Sequence, residues 1–193
     1  MRVLGISASP RSGNTEALLA RLLEGASSRG AAVKMIRLAR RDIAPCTHCD
    51  ACLENGECNI DDDMQELYKE LEKADAVVFA SPVHFMAVAS HAKLFIDRCQ
   101  ALWARKYVLK RPPLGDSNPR KGIFISVGAM KGRHIFDGPR ATVKALFASL
   151  DIAYAGELLF DGTDGAGEIV NRPGALDEAF KLGAKLAEES SGS

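Results

Sequence analysis

The chain has 193 residues, of which 47% are hydrophobic, and its 25 basic side chains (Lys and Arg) balance 25 acidic ones. A chain of this length and composition can bury one hydrophobic core, so we expect a single domain over residues 1–193. The zero net charge argues against nucleic acid or an anionic membrane as the main partner. The apolar runs are shorter than a membrane span, and polar residues interrupt the first of them early. We therefore expect neither a secretory signal nor a transmembrane helix, and a cytoplasmic protein.

Apolar runs of strand length alternate with amphipathic stretches of helical period along the chain. The pattern predicts strands over 2–6, 32–38, 76–80, 122–127 and 152–160. It predicts helices over 15–28, 64–71, 88–104 and 139–150, and a closing helix with Pro173 in its first turn. The apolar positions of that closing helix are Leu176, Phe180, Leu182 and Leu186, and residues 188–193 are expected to form a solvated tail. The alternation predicts an α/β fold, a doubly wound five-stranded parallel sheet with helices on both faces.

A loop at residues 45–60 carries four of the five cysteines in the spacing C-x2-C-x2-C-x5-C. Thiolates at this spacing can surround one compact iron-sulfur cluster, whereas structural zinc usually takes two short knuckles separated by a longer stretch. The last cysteine precedes Asn59 rather than a proline, which favours one cluster over two. Half-buried thiols or a disulfide remain alternatives, although a reducing compartment disfavours the disulfide. The candidate ligands are Cys46, Cys49, Cys52 and Cys58.

The first predicted strand runs directly into a turn rich in hydroxyl groups that opens a helix. Backbone N–H groups are unpaired at a helix N-terminus and favour anions, so this turn predicts a phosphate site. It lacks the Lys-Ser or Lys-Thr of a Walker A motif and the G-x-G-x-x-G of a dinucleotide site, which favours a terminal monophosphate. The alternative is that Ser12 or Asn14 only caps the helix. The candidate ligands are Ser7, Ser9, Arg11, Ser12, Gly13, Asn14 and Thr15.

A second polar turn, at residues 81–86, follows the third predicted strand. In open parallel sheets, ligands bind at the carboxyl ends of the strands where the strand order reverses. The loops after the first and third strands both reach that edge. Two such signals at one edge favour a ligand site there.

The motifs Ser9-Pro10-Arg11-x-Gly13-Asn14-Thr15 and Ser81-Pro82-Val83-His84-Phe85, with the segment 93–98, resemble those of flavodoxin-like NAD(P)H-dependent FMN reductases. The cysteine run resembles that of the iron-sulfur flavoprotein branch, and the resemblance covers residues 1–159. It implies a flavodoxin-like sandwich that binds FMN and a 4Fe-4S cluster, with the phosphate held by residues 9–15. The flavin ring would be edged by Pro82, Val83, His84, Phe85 and Met86, with Ser126 and Gly128 in a third loop. The continuation at 129–134 departs from the Gly-rich pattern of relatives, which leaves the substrate side unassigned.

The resemblance implies an oxidoreductase in which FMN passes electrons between a two-electron donor and the cluster. The donor would be a nicotinamide or a ferredoxin-type protein, the acceptor a small molecule, and the assembly a homodimer or homotetramer. A cluster-free NAD(P)H-dependent FMN or quinone reductase is the first alternative. A non-catalytic flavodoxin-like carrier is the second, although the balanced charge argues against it. Catalytic residues are not assigned.

Overall fold

The computed structural model describes residues 1–188, so the tail predicted over 188–193 lies outside them except for Glu188, which ends the last helix. Five parallel strands form one sheet in the order β2-β1-β3-β6-β7, and a two-stranded hairpin, β4-β5, stands apart from it. The strands are β1 (Arg2–Ser7), β2 (Ala32–Arg37), β3 (Ala76–Ala80), β4 (Val83–His84), β5 (Ala87–Val88), β6 (Arg120–Val127) and β7 (Ile152–Phe160). The helices are α1 (Asn14–Ser27), α2 (Cys52–Asn55), α3 (Met64–Glu72), α4 (Ser90–Arg98), α5 (Gln100–Tyr107), α6 (Asp137–Ser149) and α7 (Ala175–Glu188).

Helices cover both faces of the sheet, as the alternating pattern predicts. Successive residues of a strand point to opposite faces, so each strand contributes to two cores. One core holds the apolar sides of α3 to α6, and the other holds those of α1 and α7. The central strand β3 is buried at every position. None of the helices within residues 1–188 is long and apolar enough to cross a bilayer.

The strand order reverses beside β1, and this fixes where the loops meet. Ser7 at the end of β1 pairs with Arg37 of β2 on one side and with Ala80 of β3 on the other. Ala80 in turn pairs with Ile125 of β6. Because all five strands are parallel, the loops after them share one edge of the sheet. The loop after β2 carries the four clustered cysteines, and it therefore reaches the same edge as the turn after β1.

The single helix predicted over 88–104 is wrong, because the chain forms α4 and α5 with a break at Cys99. The Tyr68 hydroxyl donates a 2.6 Å hydrogen bond to the carbonyl of Arg98. In a continuous helix that carbonyl would accept from the N–H of Leu102, which here bonds to Cys99 instead at 3.0 Å. Val88 belongs to the hairpin and not to a helix.

The closing helix begins at Ala175, so the prediction that Pro173 lies in its first turn is wrong. Gly174, with φ +79°, supplies the carbonyl that accepts the first helical bond from Glu178 at 2.8 Å. The buried side of α7 is made mainly of small residues rather than of the predicted apolar set. That side holds Ala175, Ala179, Gly183, Ala184, Leu186 and Ala187, while Leu176, Phe180 and Leu182 are half-buried.

Candidate functional site

The turn after β1 ends at an uncapped helix N-terminus. Gly13, which has no side chain, stands at the N-cap position of α1, so the first N–H groups of this fourteen-residue helix receive no side-chain cap from it. Such groups and the helix dipole favour an anion. Asn14 and Thr15, the first two residues of the helix, are buried. The local geometry therefore suits a phosphate group.

Hydrogen bonds within the turn fix its shape. The Ser9 hydroxyl donates to the carbonyl of Arg11 at 2.6 Å, and the Arg11 guanidinium donates to the carbonyl of Asp164 at 3.1 Å. Among the described residues, the fully buried Ser7 hydroxyl finds no hydrogen-bond partner. An unpaired buried hydroxyl is costly unless water or a ligand pairs with it. Ser7 is therefore an orphaned polar group directly below the turn.

A loop that the sequence analysis missed also reaches this crevice. The Asn14 side-chain amide donates to the carbonyl of Gly165 at 2.8 Å, and its oxygen accepts the N–H of Ile169 at 3.1 Å. The segment 161–169 follows β7, so the rule that places loops at the carboxyl ends of strands could have found it. Thr163 and Asp164 from this loop line the same cavity as the turn after β1.

The turn at 81–86 is the start of the hairpin β4-β5. Phe85 (φ +49°) and Met86 (φ +62°) both have left-handed backbones, the geometry of a type I′ turn. Ser81 holds the base of the hairpin, because its hydroxyl accepts the N–H of Ala89 at 3.0 Å. A Cβ added to Gly138 would lie 2.4 Å from the Met86 carbonyl, so this turn sits tightly against α6. The Phe85 side chain is fully exposed.

Two adjoining cavities run along this edge of the sheet. The first, of about 370 Å³, is lined among others by Ser9, Arg11, Gly13, Asn14, Thr15, Pro82, Val83 and His84. The second, of about 570 Å³, shares Val83 and His84 with it and adds mainly apolar residues, including Phe85, Met86, Gly128 and Met130. A groove with one polar end at a helix N-terminus and one apolar end suits the phosphate and the ring of FMN.

Three predicted cofactor residues lie outside the lining of both cavities. Ser7 is buried below the turn. The Ser126 hydroxyl is also buried and donates to the carbonyl of Ser81 at 2.8 Å, which ties β6 to the hairpin. Ser12 bonds to the Glu16 carboxylate. Burial raises the pKa of Glu16, but hydrogen bonds from Arg37 and Ser12 outweigh it and lower that pKa.

The four clustered cysteines line one small cavity beside the start of α5. All five cysteines of the chain carry free thiols, and Cys99 is buried apart from this cavity. His48 (φ +53°) and Asp50 (φ +61°) have left-handed backbones between the cysteines, which turns the loop back on itself. Cys46, Cys49, Cys52 and Cys58 therefore all line one cavity, and their role as cluster ligands stays a prediction.

The electrostatics of this loop reflect the crowding of its sulfur atoms. Burial raises the pKa of Cys52, and the charges of Cys58, Cys46 and Cys49 raise it further. Within residues 1–188 no three His, Cys, Asp or Glu side chains are placed to hold a metal ion. The four thiols that line the cavity are the kind of donor that an iron-sulfur cluster takes.

Known proteins resemble the chain in sequence. A statistical model of the family NADPH-dependent FMN reductase matches residues 1–135. An iron-sulfur flavoprotein from Archaeoglobus fulgidus is 40% identical over 97% of this chain and 80% of its own length. Another from the same organism is 42% identical over 58% of each chain. The chain matches three iron-sulfur flavoproteins over only 58%, 53% and 65% of their own lengths.

Solved structures resemble the chain in fold. A flavodoxin from the domain Archaea superimposes with a TM-score of 0.60 at 16% identity, over 99% of both chains. An FMN-dependent NADH-azoreductase from Bacillus anthracis, solved in complex with FMN, gives 0.69 at 16% identity, over 97% of this chain and 100% of the other. These likenesses confirm the predicted flavodoxin-like fold. The sequence matches show that the chain belongs to the NADPH-dependent FMN reductase family, in its iron-sulfur flavoprotein branch.

Proposed function

We propose that the protein is an FMN-dependent oxidoreductase that passes electrons between a two-electron donor and a 4Fe-4S cluster held by Cys46, Cys49, Cys52 and Cys58. The observation that carries this proposal is that the four cysteines line one cavity. Their loop leaves β2, the strand beside β1, and so reaches the sheet edge that also bears the groove suited to FMN.

The groove residues would bind and orient the flavin. The N-terminus of α1 and the Arg11 guanidinium would hold the phosphate, while the hairpin turn and Gly128 would flank the ring. When bound, FMN supplies a centre that exchanges electrons singly or in pairs. The apolar residues of the second cavity would exclude water from the ring. The family and the FMN-bound azoreductase of the same fold support FMN as the cofactor.

The cysteine loop would supply the second redox centre, because an iron-sulfur cluster changes its charge by one electron at a time. One hydride from a nicotinamide carries two electrons. These would leave one at a time, each to a one-electron acceptor. The description of the family supports NADPH as a donor. A ferredoxin-type protein would be the alternative donor and would supply the electrons one at a time. The free thiols also suit the reducing cytoplasm in which we place the protein.

The second candidate function is a cluster-free NAD(P)H-dependent FMN or quinone reductase. The observation that favours it is the open apolar cavity beside Phe85 and Met86, which would admit a flat small-molecule acceptor next to the ring. A non-catalytic carrier is the third candidate.

We also propose that the protein forms a homodimer or homotetramer, since Phe85, Met86 and Met130 expose apolar surface around the second cavity. Sedimentation equilibrium checks the assembly.

The first experiment is an absorption spectrum with iron and acid-labile sulfide analysis of protein purified without oxygen. We expect flavin bands, broad cluster absorption and about four irons per chain. Cys46→Ala should lose the iron, while Cys99→Ala, which removes a buried thiol outside the cavity, should keep it. Flavin without iron, even after anaerobic reconstitution, would leave the cluster-free reductase. Flavin that bleaches with a reduced ferredoxin but not with NADH or NADPH would indicate the protein donor.

A further inference from the structure

Arg98, the last residue of α4, has one of the largest fully buried side chains in the described chain. Its guanidinium donates to both carboxylate oxygens of Asp62, one of them at 3.1 Å. It also donates to the carbonyls of Ala44 at 2.9 Å and Ile60 at 3.3 Å. A buried charge with this many partners is fixed in position.

These partners lie on both sides of the cysteine loop. Ala44 precedes Cys46 by two residues, and Ile60 follows Cys58 by two. The Asp62 carboxylate also accepts the N–H of Ala44 at 2.9 Å. The Arg98–Asp62 pair therefore holds together the two ends of the loop, at Ala44 and at Ile60. We call this point the neck of the loop.

One donor of Arg98 is not used in this way. Within residues 1–188, its Nε–H is buried and has no hydrogen-bond partner. Arg98 lines the cavity that holds the four cysteines. Burial opposes the charge on Arg98, but the hydrogen bonds with Asp62 and the nearby charge of Cys58 raise its pKa. An unpaired donor in a cavity lined by sulfur atoms points to a sulfur acceptor.

We propose that Arg98 is a positioning residue for the cluster, which closes the neck of the loop through Asp62 and donates its Nε–H to a sulfur of the cysteine-bound cluster. This inference rests on the proposed function. A cationic donor stabilises the more negative, reduced form of a cluster more than the oxidised form, so Arg98 raises its midpoint potential. The closed neck slows the release of iron.

The test compares Arg98→Lys and Asp62→Asn with the wild type after anaerobic reconstitution. The readouts are iron per chain, the midpoint potential of each centre in a spectroscopic redox titration, and the rate of iron loss to a chelator. We expect Arg98→Lys to lower the cluster potential and leave the flavin potential unchanged. We expect Asp62→Asn, which keeps the shape of the partner but loses its charge, to release iron at least about tenfold faster, a change worth about 1.4 kcal/mol.

Arg120→Lys is the matched control, because Arg120 is also buried, pairs with Asp116 and bonds to three backbone carbonyls, but lies outside the cysteine cavity. It should lower the thermal stability without altering the cluster potential or the release of iron. A wild-type potential and wild-type iron release in both Arg98→Lys and Asp62→Asn would overturn the Arg98 assignment alone. A wild-type protein that holds no iron would overturn the proposed function and the Arg98 assignment together.

Discussion

Side chains at the crevice divide into those bonded within the chain and those available to a ligand. The Asn14 side chain hydrogen-bonds to the loop 161–169, and the Ser126 hydroxyl hydrogen-bonds to Ser81. Arg11 is exposed, and within residues 1–188 its guanidinium makes one hydrogen bond, to the carbonyl of Asp164, so most of its side-chain donors remain available. Residue types alone could not separate these roles, because the partners of Asn14 lie more than 150 positions away.

Arg11 provides a direct test of the phosphate cradle. We expect Arg11→Ala to weaken the binding of FMN about tenfold and leave the binding of riboflavin, which lacks the phosphate, nearly unchanged. Flavin fluorescence titration of the flavin-free protein measures both affinities. Arg111→Ala, which removes an exposed charge away from the cavity, is the control. An equal loss for both flavins would show that Arg11 acts on the ring or on folding.

Glu157 provides a test of pH dependence. Hydrogen bonds from Arg140 lower the pKa of Glu157 against the effect of burial, and the Tyr154 hydroxyl at 2.6 Å lowers it further. Because the folded pKa lies below the ordinary value of about 4.3, the ionised pair stabilises the fold above that pH, and this contribution is lost as the pH falls through the folded pKa.

We therefore expect Glu157→Gln to melt about 2 °C below the wild type at pH 7, with the difference closing as the pH falls below about 4. Melting curves followed by circular dichroism across this range measure it. Glu24→Gln, at an exposed pair with Arg21, should show no comparable change. A difference that persists at low pH would mean that packing, not charge, explains the effect.

At the scale of elements, α1 and α7 approach so closely that their backbones touch. A Cβ on Gly183 would lie 1.9 Å from the carbonyl oxygen of Leu22, and one on Gly25 would lie 2.0 Å from that of Phe180. Backbone atoms cannot move aside as flexible side chains can. Glycine is therefore required at both positions for this helix contact, which explains why small residues make up the buried side of α7.

We expect Gly183→Ala to destabilise the fold by about 3 kcal/mol, because overpacking here must push two helix backbones apart. Chemical denaturation followed by circular dichroism measures the loss. Gly156→Ala is the matched control, since its Cβ would meet the Leu182 side chain at an ordinary 3.8 Å. If both variants were equally stable, the close approach of α1 and α7 would be refuted.

Long elements with a clear period were predictable from the sequence, whereas short or interrupted ones were not. The strands at 76–80 and 152–160 have the predicted bounds because each is an uninterrupted run of mostly apolar residues between polar turns. The hairpin escaped prediction because its strands have two residues each and its turn lacks the usual Asn-Gly or Asp-Gly. The break at Cys99 escaped because a tyrosine thirty positions away causes it.

For the whole molecule, the match to the family model ends at residue 135, yet the fold continues beyond it. Strand β7 pairs with β6 along the length of β6, and α7 covers the core that α1 shares with the sheet. Residues 136–188 therefore complete the sheet and its helical cover, and they are part of the same fold as residues 1–135. The loop 161–169 from this part also closes the groove that we assign to FMN.

We accordingly expect a chain truncated after Ile135 to lack cooperative folding, because it exposes one side of β6 and the apolar face of α1. Circular dichroism and thermal denaturation of the truncated chain, beside the full chain, measure this. A cooperative transition with a wild-type midpoint in the truncated chain would show that residues 1–135 form a domain by themselves.

The break between α4 and α5 has an electrostatic consequence. Every α-helix carries roughly half a positive elementary charge at its N-terminus. By taking the Arg98 carbonyl, Tyr68 ends one helix and lets another begin at Gln100, which together with Ala101 lines the cysteine cavity. The positive pole of this helix thus lies at the cysteine cavity and adds to the charge of Arg98, which lines the same cavity. The zero net charge of the sequence gives no sign of it, since this charge belongs to the backbone and is positioned by one phenolic hydroxyl.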